Sequence, residues 1–300
     1  MKRALRIGGM ALGGLLLLLG LGVAGLYAWT GAELRHTEPI PTHAFVAPTD
    51  SASVARGAHV LRVVAKCSEC HGEDLGGAVM IDDPAFGRVV APNLTRGEGG
   101  IAASYADADF ERAIRHGVAR DGRRLVIMPS NEFQYLSDED LGALVAYLKS
   151  VPAVDRVGPT TRIGPVARAL YVAGQLPLFP AKEVLHANTP VPSVPIDSTV
   201  AYGEYFARIG CSGCHGATYG GGKVPGTPPD WPATANLTPT GIGHYSFADF
   251  ETLLTTGVRP DSTVLLPFMP VGATKHMTPV EMTAVFKYLR TLQPRPFGSR

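Results

Sequence analysis

Charge of one sign is what this sequence most lacks. Twenty-seven Lys and Arg stand against 26 Asp and Glu, a formal net charge of +1. No strongly basic field is left for a nucleic-acid backbone, so a nucleic-acid partner is not expected. Charge of either sign is also sparse, at 18% of residues, which argues against long solvated helical faces. Only four cysteines are present, too few for a disulfide-dense secreted scaffold. What is abundant is apolar material, 45% of the chain, enough for globular cores and incompatible with disorder along the whole length. Glycine (35) and proline (25) imply much loop, and 300 residues allow two or three domains.

The apolar material is unevenly spread. Residues 7–32 carry no charge over 26 positions, more than the roughly 20 that cross a hydrocarbon core. Lys2, Arg3 and Arg6 precede this run, and Tyr27 and Trp29 close it: a basic cytoplasmic start and an interfacial aromatic end. Two readings follow. An uncleaved transmembrane anchor over residues 1–32 is favoured by length. A cleaved signal peptide is disfavoured, because Tyr27-Ala28-Trp29-Thr30 offers no clean small-x-small site. Either way the chain after Glu33 is exported, and the expected location is the inner membrane with the bulk in the periplasm. Residues 33–51, with Pro39, Pro41 and Pro48, read as a tether.

The remainder is one unit written twice, about 140 residues apart, a period far too long for a solenoid. Cys67-Ser68-Glu69-Cys70-His71-Gly72 returns as Cys211-Ser212-Gly213-Cys214-His215-Gly216. Asn93-Leu94-Thr95 returns as Asn236-Leu237-Thr238, and Tyr105 and Phe110 as Tyr245 and Phe250. Gly117-Val118 matches Gly257-Val258, Met128-Pro129 matches Met269-Pro270, and Tyr147-Leu148 matches Tyr288-Leu289. The units are expected over 52–153 and 198–295. Between them, 154–197 reads as a Pro-rich linker with a short helix near 166–173.

Each unit reads as helical. Ser137 with Asp140, Ser246 with Asp249, and Thr278 with Pro279 and Glu281 are helix-start signatures. Leu141, Leu144, Val145 and Leu148 then form one apolar stripe, as do Met282, Val285, Phe286 and Leu289. A first helix runs into each cysteine pair through Val60, Leu61 and Val64, and through Tyr205, Phe206 and Ile209. No run of strand alternation exceeds a few residues.

C-x-x-C-H is the attachment signature of haem c. Two thiols one helical turn apart can each add to a haem vinyl group, and the adjacent histidine then falls under the iron as proximal ligand. A thioredoxin-like pair would need a strand–helix setting, a zinc finger four ligands at close spacing, and neither is visible. Structural disulfides remain a third, weaker reading. The favoured reading is two covalently bound haems c, held by Cys67, Cys70 and His71, and by Cys211, Cys214 and His215.

A sixth iron ligand is expected from methionine. Outside the leader only Met128 and Met269 stand at matched positions, each before a proline and before the last helix. A thioether opposite histidine raises the reduction potential. Met80, Met277 and Met282 read as gap-filling core, with Met277 a fallback ligand. His116, His244 and His276 occupy no matched positions and read as surface or hydrogen-bonding histidines. Five arginines between 112 and 124 could meet haem propionates or an acidic partner, or form a plain solvated face.

The ordered set C-x-x-C-H, Asn-Leu-Thr, Tyr-x-x-x-x-Phe, Gly-Val, Met-Pro and closing helix resembles a membrane-anchored dihaem cytochrome c. It is similar to the cytochrome subunits of bacterial alcohol and gluconate dehydrogenases, which usually carry three haems where this chain has two motifs. The resemblance implies an all-α fold of two tandem class I cytochrome c domains after the anchor. It also implies an electron carrier of the respiratory chain and not an enzyme. Its expected partners are a membrane or periplasmic dehydrogenase or quinol donor and a downstream acceptor such as a terminal oxidase. The alternatives are a dihaem peroxidase-like enzyme, which would need an open iron position, and a haem-based sensor or assembly module.

Overall fold

Residues 2–40, 45–187, 190–228 and 230–300 are described by a computed structural model of the chain. Pro41 of the expected tether lies outside the described residues. The first helix, α1 (Lys2–Arg35), contains a segment, Leu5–Arg35, long and apolar enough to cross a membrane. Its leucines from Leu5 to Leu21 face outward, but its C-terminal end is gripped. Trp29 stacks on Tyr171 with centroids 5.7 Å apart, and the Arg168 guanidinium lies 4.4 Å over the Tyr27 ring. Arg124 and Lys182 reach Glu33 at 2.9 and 3.0 Å. The start of the expected tether is therefore docked, with the Glu38 amide donating to the Gly122 carbonyl at 2.9 Å.

In the first repeat, α2 (Ser51–His59) begins where Asp50 accepts the Ser53 amide, and it passes through one π turn, Val60–Val64, toward Cys67. Then come α3 (Ser68–His71), β1 (Ala78–Asp83), β2 (Gly87–Ala91), α4 (Asp107–His116), α5 (Ser130–Phe133) and α6 (Asp138–Ser150). The linker adds β3 (Arg162–Ile163) and α7 (Pro165–Val172), the short helix expected there. The second repeat holds α8 (Val200–Gly210), α9 (Ser212–His215), α10 (Pro239–Ile242), α11 (Phe247–Thr256), α12 (Val271–Thr274) and α13 (Pro279–Thr291).

Helices dominate, as the sequence predicts, and the predicted caps form. Ser246 with Asp249 and Thr278 with Glu281 make reciprocal capping boxes. Ser137 accepts the Asp140 amide, but the Asp140 carboxylate is used elsewhere. The small antiparallel sheet β1-β2-β3 is additional to the sequence reading. Its hairpin turns on Asp83, whose carboxylate accepts the amides of Ala85 and Phe86 at 2.9 and 2.6 Å. The matching stretch of the second repeat carries four prolines between 222 and 234, which cannot donate to a ladder, and only Gly222 and Thr234 bridge there among the described residues.

In each repeat the first and last helices cross at a glycine. A Cβ on Gly57 would lie 1.9 Å from the Ala143 carbonyl oxygen, and one on Gly203 2.0 Å from that of Ala284. The crossing is thus set by backbone contact. Around it one apolar core runs through both repeats, with Leu141 and Leu144 in the first and Val285 and Leu289 in the second. A smaller cluster joins Val89, Ile163, Ala167, Leu176, Leu178 and Phe179. The Pro-rich linker therefore packs on the first repeat.

The repeats meet about an approximate two-fold relation. His59 of α2 contacts Glu281 of the other repeat at 2.7 Å, and Tyr205 of α8 donates to Asp140 of the other repeat at 2.7 Å. Arg56 makes a two-pronged bond to Asp140 at 2.7 and 2.8 Å and lies 3.4 Å from the Tyr202 hydroxyl, which donates to Glu281. Arg56 and Tyr202 immediately precede Gly57 and Gly203, so the two crossings supply the interface. Burial opposes ionisation of Glu281, but His59, the Thr278 amide and Arg56 outweigh it and hold the carboxyl below its ordinary range.

Candidate haem-attachment sites

The two C-x-x-C-H segments fold alike. Each forms one helical turn, α3 or α9, ended by a left-handed glycine, Gly72 (φ 81°) or Gly216 (φ 82°). The turn brings both thiols and the histidine onto adjacent positions of one short helix. All four cysteines are free thiols. Burial pushes Cys67 up to about 12, helped by the neighbouring Cys70, and Cys211 up to about 11.

The histidines are oriented by the wall behind them. His71 Nδ1 lies 2.9 Å from the Pro92 carbonyl oxygen, and His215 Nδ1 lies 2.8 Å from that of Ala235. A carbonyl can only accept, so Nδ1 carries the proton and Nε2 keeps its lone pair for a metal. Burial lowers the pKa of both rings, which keeps them neutral, the form that binds iron.

The repeated Asn-Leu-Thr has a definite task. Asn93 Oδ1 accepts the Thr95 amide at 2.8 Å, while its Nδ2 donates to the Val154 carbonyl at 2.7 Å. Asn236 accepts the Thr238 amide at 2.8 Å and donates to the Arg295 carbonyl at 2.8 Å. Each buried asparagine thus ties the wall beside the histidine to the chain leaving the last helix. Leu94 and Leu237 complete the wall by donating their amides to the carbonyls of Leu75 and Tyr219, both at 2.8 Å.

Met128 and Met269 lie in the loops before α5 and α12, half-buried, and pack against the same apolar core as Cys67 and Cys211. Met277 and Met282 are core residues as expected, whereas Met80 is 41% exposed on β1 and fills no gap. His116 is buried, with Nδ1 3.1 Å from His186 Nδ1. His244 meets the Tyr245 ring edge-on, and His276 lines a cleft with His59, Arg62, Ser68 and Glu73.

The arginine-rich stretch is not a free basic face. Arg112 pairs with Asp109, Arg115 with Glu111 and Asp138, Arg120 with Asp109, Arg123 with Asp121, and Arg124 with Glu33 and Glu38. Asp109, Glu111 and Asp121 are local partners, but Glu33, Glu38 and Asp138 come from other elements, and these are the ones that local charge counting misses.

Two further features escape the sequence. Lys66 Nζ donates to the Gly210 carbonyl at 2.7 Å. These residues immediately precede Cys67 and Cys211, so the two attachment segments start against each other. Glu132 of α5 reaches into the other repeat, where a Cβ on Gly213 would lie 2.1 Å from its Oε1.

The donor set suits haem c: paired free thiols, a neutral histidine with Nε2 available, and a soft thioether in the same core, twice. The cytochrome c family profile matches residues 54–152 and 200–293. The chain belongs to the cytochrome c family. Its paired cysteines in two cytochrome c domains imply haem c. The cytochrome c subunit of the quinone alcohol dehydrogenase of Gluconobacter oxydans is 28% identical over 274 residues, covering 83% of this chain and 56% of that protein. The gluconate 2-dehydrogenase cytochrome c subunit of Pantoea cypripedii is 27% identical over 272 residues, covering 81% of this chain and 60% of that protein. The fructose dehydrogenase cytochrome subunit of Gluconobacter japonicus is 33% identical over 145 residues, covering 46% of this chain and 28% of that protein. This cytochrome c thus spans somewhat more than half the length of the alcohol and gluconate dehydrogenase subunits it matches.

Proposed function

We propose that this protein is a membrane-anchored dihaem cytochrome that passes single electrons between a dehydrogenase or quinol donor and a downstream acceptor. Each of its two domains, spanning about 52–153 and 198–295, holds one haem c, which supplies the one-electron couple. Cys67, Cys70 and His71 would hold the first, with Met128 as the thioether donor to its iron. Cys211, Cys214 and His215 would hold the second, with Met269 likewise. Pro92 and Ala235 fix the histidine tautomers, and the Asn93 and Asn236 ties keep the walls from relaxing when the iron changes charge. Imidazole and thioether donors serve either oxidation state, so with these residues on iron the chain would offer no place for substrate there and would transfer an electron with little rearrangement.

The observation that carries this reading is the Lys66–Gly210 contact. It joins the two attachment segments across the interface, so electrons need not leave the protein to pass between domains. The apolar helix α1 supports an uncleaved anchor, since Arg124, Arg168, Tyr171 and Lys182 all grip its C-terminal end. The similarity to dehydrogenase cytochrome subunits supports a dehydrogenase as donor.

The test is a spectroelectrochemical titration of the detergent-solubilised holoprotein after acidified-solvent extraction. The expected result is two haems per chain that stay with the protein, two one-electron waves and no peroxide turnover. Haem leaving with the solvent, or peroxidase activity at a high-spin iron, overturns the reading.

A further inference from the structure

We propose that Glu132 of the first domain is a positioning residue that lowers the reduction potential of the haem held by the second domain. This rests on haem attachment at Cys211 and Cys214. Glu132 stands four residues beyond Met128, at the interface face of α5, and α5 packs on α8 of the other domain. Its carboxylate accepts the amide of Gly213, one of the two residues between the attachment cysteines. A Cβ on Gly213 would meet Oε1 at 2.1 Å and Oε2 at 2.5 Å. Only glycine leaves room for a carboxylate against that backbone.

The arrangement is one-sided. By the approximate two-fold relation, Glu132 corresponds to Ala273 and Gly213 to Glu69. The first domain's attachment segment therefore has no equivalent acid delivered by its neighbour. In the first domain the acid at that place is Glu69 itself, which is exposed to solvent, whereas the Glu132 carboxyl is buried. A buried anion is screened less and stabilises the oxidised, more positive state of its haem more strongly.

The charged and titratable groups facing Glu132 are few. Lys66 approaches from the loop before α3 and lowers its pKa. Cys211 and Cys214 lie on α9 and are consumed in attachment. Arg300 sits on the far side of the same backbone, donating to the Gly213 carbonyl at 3.0 Å. Arg208 is engaged over the Tyr135 ring at 4.6 Å. Burial wins over Lys66 and the Gly213 amide and pushes Glu132 up to about 7. The carboxyl therefore titrates near neutral pH. Reduction of an iron held there would favour the neutral acid, so Glu132 would take up part of a proton from a buffer acid in solvent and offset part of the added negative charge.

The experiment is a potentiometric titration of full-length holoprotein at pH values from about 6 to about 8, for wild type, Glu132→Gln and Glu132→Ala. Met269→His, which exchanges the thioether for an imidazole, identifies the second-domain wave as the one it moves. In wild type that wave is expected to fall as pH rises, while the first-domain wave stays flat. Both variants should shift the second-domain wave upward and remove its pH dependence. Gln keeps the acceptor for Gly213, so a shift in Ala but not in Gln means that Glu132 acts only by holding the backbone, and the proposal fails. It fails equally if neither variant moves the wave. Absence of two waves in wild type would instead overturn the dihaem reading itself.

Discussion

The two methionine loops share a Met-Pro, a short following helix and a position in the repeat, yet they differ in what lies over them. In the first domain the loop is strapped. Leu178 of the linker accepts the Ile127 amide at 3.0 Å, and Val126 and Ile127 pack against Leu176, Leu178 and Phe179. Ile127 sits at φ 63°, a left-handed conformation that a β-branched side chain adopts at a cost of about 1–3 kcal/mol. In the second domain the loop is open. Phe268 is 42% exposed and rests on Trp231, itself 41% exposed, at a centroid distance of 4.3 Å. Phe268 has no positive φ. One core thus serves a methionine loop with a cover and one without. The cover is an addition from the linker, and the strain at Ile127 accompanies it.

Shared architecture should break alike in both halves. Gly57→Ala and Gly203→Ala each drive a Cβ into a backbone carbonyl. Each is expected to cost its own domain about 3 kcal/mol or more, read as loss of that domain's haem spectrum on thermal unfolding. A tolerated alanine at either site would show that the crossing is not set by backbone contact.

The strap should matter on one side only. Leu178→Ala removes a fully buried side chain and should cost about 2–3 kcal/mol, confined to the first domain. Its readout is faster loss of Met128 ligation, with Met269 unchanged. Equal loosening of both loops would mean that the linker acts on the whole molecule. On the open side, Trp231→Ser or Phe268→Ser should stay within about 1 kcal/mol, because neither ring is buried. A large loss from either would show that the second loop also depends on its cover.

A finer effect lies between the domains. Burial works to raise the pKa of Glu281, but His59, the Thr278 amide and Arg56 together hold it below its ordinary value. A carboxyl depressed by folding lends stability that is complete above its unfolded value, about 4.3, and is lost as pH falls through the folded value. The interface should therefore loosen only below about pH 4.3, seen by small-angle scattering as a rise in dimensions. Glu281→Gln should abolish that acid step. Loosening near neutral pH would place the sensitive group elsewhere.

The local parts of this account were legible in the sequence and the long-range parts were not. Each attachment turn, Asn-Leu-Thr wall and helix cap lies within a few residues of its partner. The α7 helix was readable near 166–173 for the same reason. The hairpin escaped because Asp82, Asp83 and Pro84 interrupt the alternation between Val79, Ile81 and Val89. The crossing glycines carry no local signature, since their partners Ala143 and Ala284 lie some eighty residues away and glycine alone is ambiguous. The five arginines resemble a docking patch until Glu33, Glu38 and Asp138 arrive from other elements. Asp140 was legible as a helix-start residue, but its partners Arg56 and Tyr205 come from two different repeats.

The central claim, that both domains close their iron with a matched histidine and methionine, is tested most directly by near-infrared spectroscopy of the oxidised holoprotein. The weak sulfur-to-iron band should be present in full, and Met128→Ala and Met269→Ala should each remove half of it. A band that survives both substitutions, or a high-spin iron in the unaltered protein, would contradict the account.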